Sequence, residues 1–446
     1  MTFRPFPLLV LTVALAACAP SSLVSQPVAL TPVQEERAAR LDSVVAALHA
    51  DGLFDGALAI SDADGRLLYR AAVGTYEGRP VTTETPMYLA SVTKAMTSAA
   101  ALSLAADGRL DLDAPVADYL DPWPYPDVTV RMLADQTAGL HFLTALTAHR
   151  EPGTVVTTAD LLAIVAEHRP GLVHPAGTAF DYDNANYEAL AAVIEAASGK
   201  PYAEVMRERV LEPAGMDHAA PNGSSDIEWA RWSGGGGDAV QASVEDLLAF
   251  DDAFWAGRIV PRRFVEAAQQ PPTLADGSTS RYVFGRFIET DPRPLIGHFG
   301  EGGETKTALY RERAGGGLPG TTYALIATAN GVYRTPVLTA VMSIWNGEPF
   351  ALPLPRPTAD VPEAVLARHV GVYESGFGRL HITLENGQLH LEPEGAGGSE
   401  PLVAGSETVF YFCCQDLTWE FVTDEGGATV GIQLSGQAET FGEKVE

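Results

Sequence analysis

Small or apolar residues occupy every face of the run from Ala95 to Ala106, and Asp107-Gly108 stops it. A helix without a polar face is predicted to lie buried at the centre of a domain. Upstream, Thr31-Pro32 predicts a helix running to about Ala50, with Thr31 at the N-cap, Pro32 in the first turn and Asp51-Gly52 at the end. Gly56 to Ser61 and Arg66 to Gly74 read as two strands joined by the hairpin loop Asp62-Ala63-Asp64-Gly65. The middle, about 110 to 260, reads as mostly helical. Strands resume at Tyr282 to Thr290, Ala308 to Arg313 and Thr322 to Ala329, and Pro336 to Trp345 reads as a closing helix. This order predicts an α+β fold in which one antiparallel sheet is formed from both chain ends, flanked by helices, with an all-helical region inserted between.

The pattern then changes. Residues 353–366 form a proline-rich, semi-rigid linker. Beyond it come short apolar runs at Gly371 to Glu374, Leu380 to Leu384, Leu389 to Glu392, Val409 to Cys413, Leu417 to Val422 and Thr429 to Leu434, with Glu385-Asn386-Gly387 as a turn. Strands at this spacing predict a small antiparallel barrel or sandwich over 367–446, so the main domain spans 31–352.

Composition narrows the function. A chain of 446 residues with 46% hydrophobic content is long enough for two domains with a large core. The net charge, 29 − 57 = −28, argues against nucleic acid and against an anionic membrane surface as partners. Three cysteines, two of them adjacent at Cys413 and Cys414, do not make a disulfide framework. The ten histidines are scattered and no His-Glu-x-x-His run occurs, so neither a metal nor another cofactor is expected. A Gly-x-Ser-x-Gly elbow is absent, which argues against an α/β-hydrolase.

Candidate chemistry begins at the head of the buried helix. Ser91 and Lys94 stand three apart and share a helical face, so the lysine can reach the serine hydroxyl. Burial there would disfavour the charged ammonium and give the serine a local proton acceptor. Two further stretches carry polar chemistry. Tyr182 and Asn184 lie two apart, just before a predicted helix from Tyr187 to Ala197; a phenol can shuttle a proton and an amide can hold a substrate amide. Gly297-His298-Phe299-Gly300 falls on or beside a late strand and is followed by Glu301, where glycine allows a substrate close to the backbone.

Together, Ser91-Val92-Thr93-Lys94, Tyr182-Asp183-Asn184 and His298-Phe299-Gly300 resemble the Ser-x-x-Lys, Tyr-x-Asn and His-x-Gly elements of the serine β-lactamase and penicillin-binding-protein superfamily. The fit is best to its branch of class C β-lactamases, D-aminopeptidases, DD-carboxypeptidases and related esterases. Leu133 to Leu140, Leu211 to Met216 and Gly234 to Leu247 resemble lesser signatures of the family, and the likeness covers about 31 to 350. It implies two-step acyl transfer with Ser91 as nucleophile, Lys94 and Tyr182 sharing the proton work, and His298 assisting. Asn184 would hold the acyl-side amide, and the oxyanion would sit between the backbone N–H groups of Ser91 and Glu301, beside Gly300. The substrate would be a small molecule or peptide: D-amino-acid peptides, amides or small esters. β-Lactams are the nearer alternative, and a non-catalytic ligand-binding or structural lipoprotein is the more distant one. Histidine in place of the strand lysine weakens the β-lactamase reading. Gln136 and Ala138 replace the usual histidine and serine of the family's turn. The C-terminal region resembles the lipocalin-like barrel of some peptidase members. Neither the natural substrate nor the oligomeric state is legible.

The N-terminus carries Arg4, an apolar run from Leu8 to Ala17, and Leu15-Ala16-Ala17-Cys18. It resembles a bacterial lipoprotein signal over residues 1–18, with Cys18 as the lipid-bearing residue and 19–30 as a tether. That resemblance implies export to the bacterial cell envelope and a membrane anchored through lipid at Cys18, facing the periplasm.

Overall fold

The computed structural model describes residues 29–140, 158–221, 240–290, 293–302, 305–313, 320–328, 334–352, 358–375, 378–393, 399–412, 417–436 and 440–445. Cys18, the Gly234 to Gly237 run, the linker's 353–357 and the Cys413-Cys414 pair lie outside them.

The first helix, α1 (Pro32–Ala50), begins at a capping box in which the Thr31 side chain accepts from Gln34 N and the Gln34 side chain accepts from Thr31 N. Strands β1 (Gly56–Ser61) and β2 (Leu67–Val73) follow as the expected hairpin. After α2 (Thr93–Ala106), α3 (Asn184–Ser198) and α4 (Val244–Trp255), the chain returns to the sheet through β3 (Tyr282–Val283), β4 (Arg286–Glu289), β5 (Leu295–Gly302), β6 (Thr305–Glu312) and β7 (Thr322–Thr328), and α5 (Arg334–Asn346) completes the layer. Sheet order is β2-β1-β7-β6-β5-β4-β3, with every described pairing antiparallel. The predicted union of both chain ends is therefore the β1–β7 pairing, Gly56↔Ala327 to Ser61↔Thr322.

The sheet is buried on both faces, and the strand period of two sorts its side chains. Leu58, Ile60, Tyr323 and Leu325 pack with Leu41, Val45, Val337 and Trp345 of α1 and α5. Ala57, Ala59, Ala324 and Ile326 face the larger core built around α2, α3 and α4. Residues Thr93 to Leu104 of α2 are all buried, as a helix without a polar face requires.

The structure differs from the sequence reading in several places, among them the start of β6 at Thr305 where Ala308 was expected. The expected strand Tyr282 to Thr290 is broken by Phe284-Gly285 at φ +41° and +78° into β3 and β4. Helix α3 starts at Asn184, earlier than expected, because the Asp183 side chain accepts from Ala185 N at 2.7 Å and caps it there. The middle region is mainly helical, but it also contributes Val240–Ala242 to a small sheet with Met87–Tyr88 and Ala220–Pro221.

The C-terminal region is a closed barrel of eight strands: β8 (Gly371–Ser375), β9 (Gly378–Glu385), β10 (Gln388–Pro393), β11 (Glu400–Ala404), β12 (Val409–Phe412), β13 (Leu417–Thr423), β14 (Thr429–Gly436) and β15 (Thr440–Lys444). Pairing of Tyr373 with Lys444 closes it. β11 and β15 were not expected from sequence. A short helix, α6 (Glu363–His369), precedes the barrel, and its Leu366 belongs to the barrel's core beside Tyr373, Leu380, Phe410 and Phe421.

Candidate functional site

Ser91 lies in a short 3₁₀ turn, Ala90–Val92, that runs directly into α2. Lys94, one turn on and fully buried, donates from Nζ to Ser91 Oγ at 2.8 Å. The same Nζ lies over the rings of Tyr182 and Tyr187, 5.3 and 5.7 Å from their centroids. Ser91, Lys94 and Tyr182, which lie up to 91 positions apart in the chain, thus form one cluster at the head of the buried helix.

The turn itself is strained. Ala90 has φ +48°, in the left-handed region that costs an L-residue about 1–2 kcal/mol. Strand β6 grips it from below: Thr307 Oγ1 donates to Leu89 O and Thr305 Oγ1 to Tyr88 O, both at 2.7 Å. Gly300 of β5 is the register partner of Thr307. A Cβ at Gly300 would sit 2.4 Å from Leu89 O, 2.4 Å from Thr307 Oγ1 and 2.9 Å from Ser91 N. The glycine of the His-x-Gly stretch is thus fixed by contact with the nucleophile turn. A Cβ at Gly285, in the β3–β4 turn, would likewise lie 2.4 Å from Lys94 O.

His298 is 2% exposed. Its Nε2 lies 3.2 Å from Tyr282 Oη and its Nδ1 contacts Phe299 O. A carbonyl only accepts, so Nδ1 carries a proton in that contact. Tyr182, Tyr282 and Phe287 surround the imidazole at centroid distances of 5.9, 5.6 and 5.0 Å, and Phe287 stacks on Tyr182 at 19°. Burial, followed by the neighbouring phenols Tyr187 and Tyr182, pushes the Tyr282 hydroxyl well above its ordinary range. Burial does the same to Tyr187, whose Oη donates to Ala134 O and meets Ser98 Oγ at 3.0 Å.

Tyr182 and Asn184 flank Asp183, and Gln136 holds their loop from inside. Fully buried at φ +57°, Gln136 accepts at Oε1 from Asp183 N and Asn186 Nδ2, at 3.1 and 2.6 Å, while its carbonyl accepts from Asp181 N. The negative charge of Asp183 is directed at the start of α3 through its bond to Ala185 N. Asn184 Oδ1 is buried and has no hydrogen-bond partner among the described residues. Beside Gln136, Asp135 accepts from Phe284 N at 2.9 Å, and burial pushes its carboxyl up to about 7 despite that bond. Glu301 stands one residue beyond Gly300 and pairs with Lys306 at 3.1 Å. No three histidine, cysteine, aspartate or glutamate side chains stand together as a metal site among the described residues.

Ser91, Lys94, Tyr182, His298 and Gly300 are therefore brought into one site, with Asn184 and Glu301 at its neighbouring loop and strand. Tyr282, Phe287, Gln136, Thr305 and Thr307 belong to it as well and were not picked out from sequence. For Gln136 a signal existed, since it stands in a turn already noted as family-like; for the two threonines the β5–β6 register was needed.

The family model described as Beta-lactamase matches residues 41–348. A penicillin-binding protein of Bacillus subtilis (strain 168) is 26% identical over 409 residues, covering 82% of this chain and 89% of its own. A D-aminopeptidase of Cereibacter sphaeroides is 28% identical over 232 residues, covering 48% of this chain and 45% of that enzyme. Among solved structures, the D-amino acid amidase from Ochrobactrum anthropi SV3 superposes with a TM-score of 0.59 at 18% identity, over 70% of this chain and 99% of that one. The octameric penicillin-binding protein homologue from Pyrococcus abyssi gives 0.58 at 19% identity, over 91% and 99%. At such identities these two structures speak to the fold alone.

Proposed function

The chain belongs to the Beta-lactamase family and is a serine hydrolase of it, and from that premise we propose that Ser91 forms an acyl-enzyme with D-amino-acid peptides, amides or small esters. The observation that most supports this is the 2.8 Å bond between Lys94 Nζ and Ser91 Oγ, on a lysine with no exposure to solvent.

In this reading the Lys94–Tyr182 pair carries one proton fewer than an ammonium and a phenol together, and as Ser91 Oγ bonds to the substrate carbonyl carbon its proton passes to the unprotonated member, amine or phenolate. The oxyanion is held by the backbone N–H groups of Ser91 and Glu301. The proton then goes to the departing amine or alcohol as the carbonyl–heteroatom bond breaks. Water releases the acyl group by the reverse path. Asn184 Oδ1, buried without a hydrogen-bond partner among the described residues, is suited to accept from an amide N–H on the acyl side. His298, with Nδ1 on Phe299 O and Nε2 on Tyr282, orients the wall of the site.

Turnover of a nitrophenyl ester, a D-alanyl anilide and a chromogenic cephalosporin decides the matter, with Ser91→Ala in parallel. Ester or anilide turnover that disappears in Ser91→Ala is the expected result, a loss of about a thousandfold or more. Cephalosporin as the fastest substrate would make the enzyme a β-lactamase instead, and turnover persisting in Ser91→Ala would exclude Ser91 as nucleophile.

We also infer export to the cell envelope with a lipid on Cys18, supported by the Leu15-Ala16-Ala17-Cys18 pattern. Radiolabelled fatty acid incorporated by the full chain and lost in Cys18→Ala is expected; equal labelling of both would overturn it.

A further inference from the structure

The strained turn before the nucleophile and the two hydroxyls beneath it point to positioning residues outside the three motifs. Ala90 holds φ +48° directly before Ser91. The two carbonyls preceding it, Tyr88 O and Leu89 O, each receive a threonine hydroxyl from β6 at 2.7 Å. Thr305 and Thr307 are 1% and 0% exposed, so neither hydroxyl reaches bulk solvent. On the other side, Leu89 N donates to Val240 O at 3.0 Å, which pins the turn to the small sheet. The turn is thus gripped on both flanks.

We propose that Thr307, with Thr305 in support, is a positioning residue that holds Ala90 in its left-handed conformation and so aims Ser91 Oγ and Ser91 N at the substrate carbonyl. The mechanism is local. The Leu89 carbonyl shares one rigid peptide plane with the Ala90 N–H, so the bond from Thr307 fixes that plane and with it φ of Ala90, which sets where Ser91 N points. Relaxation of Ala90 to a negative φ swings Ser91 N away from the space next to Gly300, where a Cβ would lie 2.9 Å from it. Strain at a reacting position persists only where the surroundings over-determine it, and here two buried hydroxyls do so. An alternative in which the threonines merely fill the sheet predicts that isosteric valine serves equally well. This inference rests on Ser91 being the nucleophile, and it concerns how the turn is held, which that reading leaves open.

The test is single-turnover acylation of the full chain by a nitrophenyl ester, with the concentration of folded sites fixed by titration and the melting temperature measured alongside. Thr307→Val is expected to slow acylation about ten- to hundredfold while KM changes by less than about threefold. Thr307→Ser, which restores the hydroxyl, is expected within about threefold of the native rate. In an Ala90→Gly background, Thr307→Val is expected to slow acylation less than about threefold, because glycine adopts the left-handed conformation without a clamp. Thr305→Val, one carbonyl further from Ser91, carries a smaller loss and stands in if Thr307→Val does not fold. Native acylation per folded site in the valine variants overturns the proposal, whatever their melting temperatures. So does an equal penalty in the native and Ala90→Gly backgrounds, or a serine variant as slow as the valine one. Ser91→Ala is run beside them. If it still acylates, the nucleophile assignment falls and this inference with it; if it is dead while Thr307→Val is native-like, only the clamp falls.

Discussion

Among the described residues two histidines are buried almost completely, His298 in the hydrolase domain and His369 at the barrel, and each has both ring nitrogens engaged among aromatic rings. Their surroundings differ. His369 bonds Thr429 Oγ1 and Glu407 O, both at 2.8 Å, and stacks on Phe421 at 4.2 Å. Among the described barrel residues, His369 and Thr429 are the buried polar side chains, and the rest of that core is Leu, Ile, Phe, Tyr and Trp. In the hydrolase domain the buried polar groups are more numerous: Lys94, Thr97 and Ser98 stand on α2, Asn186 on α3, Thr305 and Thr307 on β6, and Gln136 beside Asp135. Buried polar groups weaken a fold unless they are paired. At the barrel His369 and Thr429 bond each other and Tyr373 Oη donates to His369 O, which suits a stabilising part. The hydrolase domain holds many such groups, and Asn184 Oδ1 is without a hydrogen-bond partner among the described residues. The difference marks chemistry in one core and packing in the other.

The largest expected effect breaks the comparison at a glycine. Gly300→Ala places a methyl 2.4 Å from both Leu89 O and Thr307 Oγ1, where backbone must shift. The expected outcome is a loss of kcat/KM of about a thousandfold or more, since the shift falls on Ser91 itself. Gly427→Ala, in a barrel hairpin at φ +79° with open space around it, is the counterpart. It is expected to destabilise the barrel by about 1 kcal/mol and leave kcat/KM within about twofold. Steady-state kinetics and thermal melts on both variants check this. Similar activities in the two would remove the distinction between the domains.

How far the sequence foretold this arrangement depends on the range of the forces involved. The buried helix α2, its Ser91-Lys94 head and the hairpin β1–β2 were legible because period and turn chemistry act within a few residues. The motifs at Tyr182 and His298 were legible through resemblance, not through local physics. The start of α3 was placed late because the apolar pattern gathers from Tyr187, while the cap that sets the start is Asp183. The Thr307–Leu89 bond spans 218 positions and was not legible at all. Its only trace in sequence is a threonine opposite a glycine across a hairpin, and register is a property of the folded sheet. Gln136 is similar: as a departure from the family's histidine it carried no reading until its contacts with Asp183 and Asn186 were seen. In the barrel, β11 and β15 were missed because Glu400-Pro401 and Thr440 to Lys444 are polar at the ends and lack the alternation that marked the other strands.

The smallest expected effect sharpens the comparison through pH, because the buried titratable groups of the two domains slope in opposite directions. Burial holds Asp135 at about 7, against 3.8 for a free aspartate. Between those values the folded domain keeps a proton that the unfolded chain has lost. The stabilising contribution is therefore full below about 3.8 and is lost as pH rises through about 7. His369 is shifted the other way: burial, then the positive charges of Lys444 and Arg368, lower it from 6.5, partly offset by its bond to Glu407 O. Below 6.5 the unfolded chain takes up the proton first, so that contribution is full above 6.5 and is lost as pH falls through the lowered value. Hydrogen exchange on the intact protein reads each domain separately, through amides of α2 and of β9 and β10. Between pH 5 and 8, the stability of the native α2 region relative to Asp135→Asn is expected to fall with rising pH, by on the order of 1 kcal/mol. Over the same range the stability of the native barrel relative to His369→Gln is expected to rise, by a smaller amount. A flat or same-signed pair of differences would mean that neither group sets its domain's pH response, and the contrast between the two cores would then rest on geometry alone.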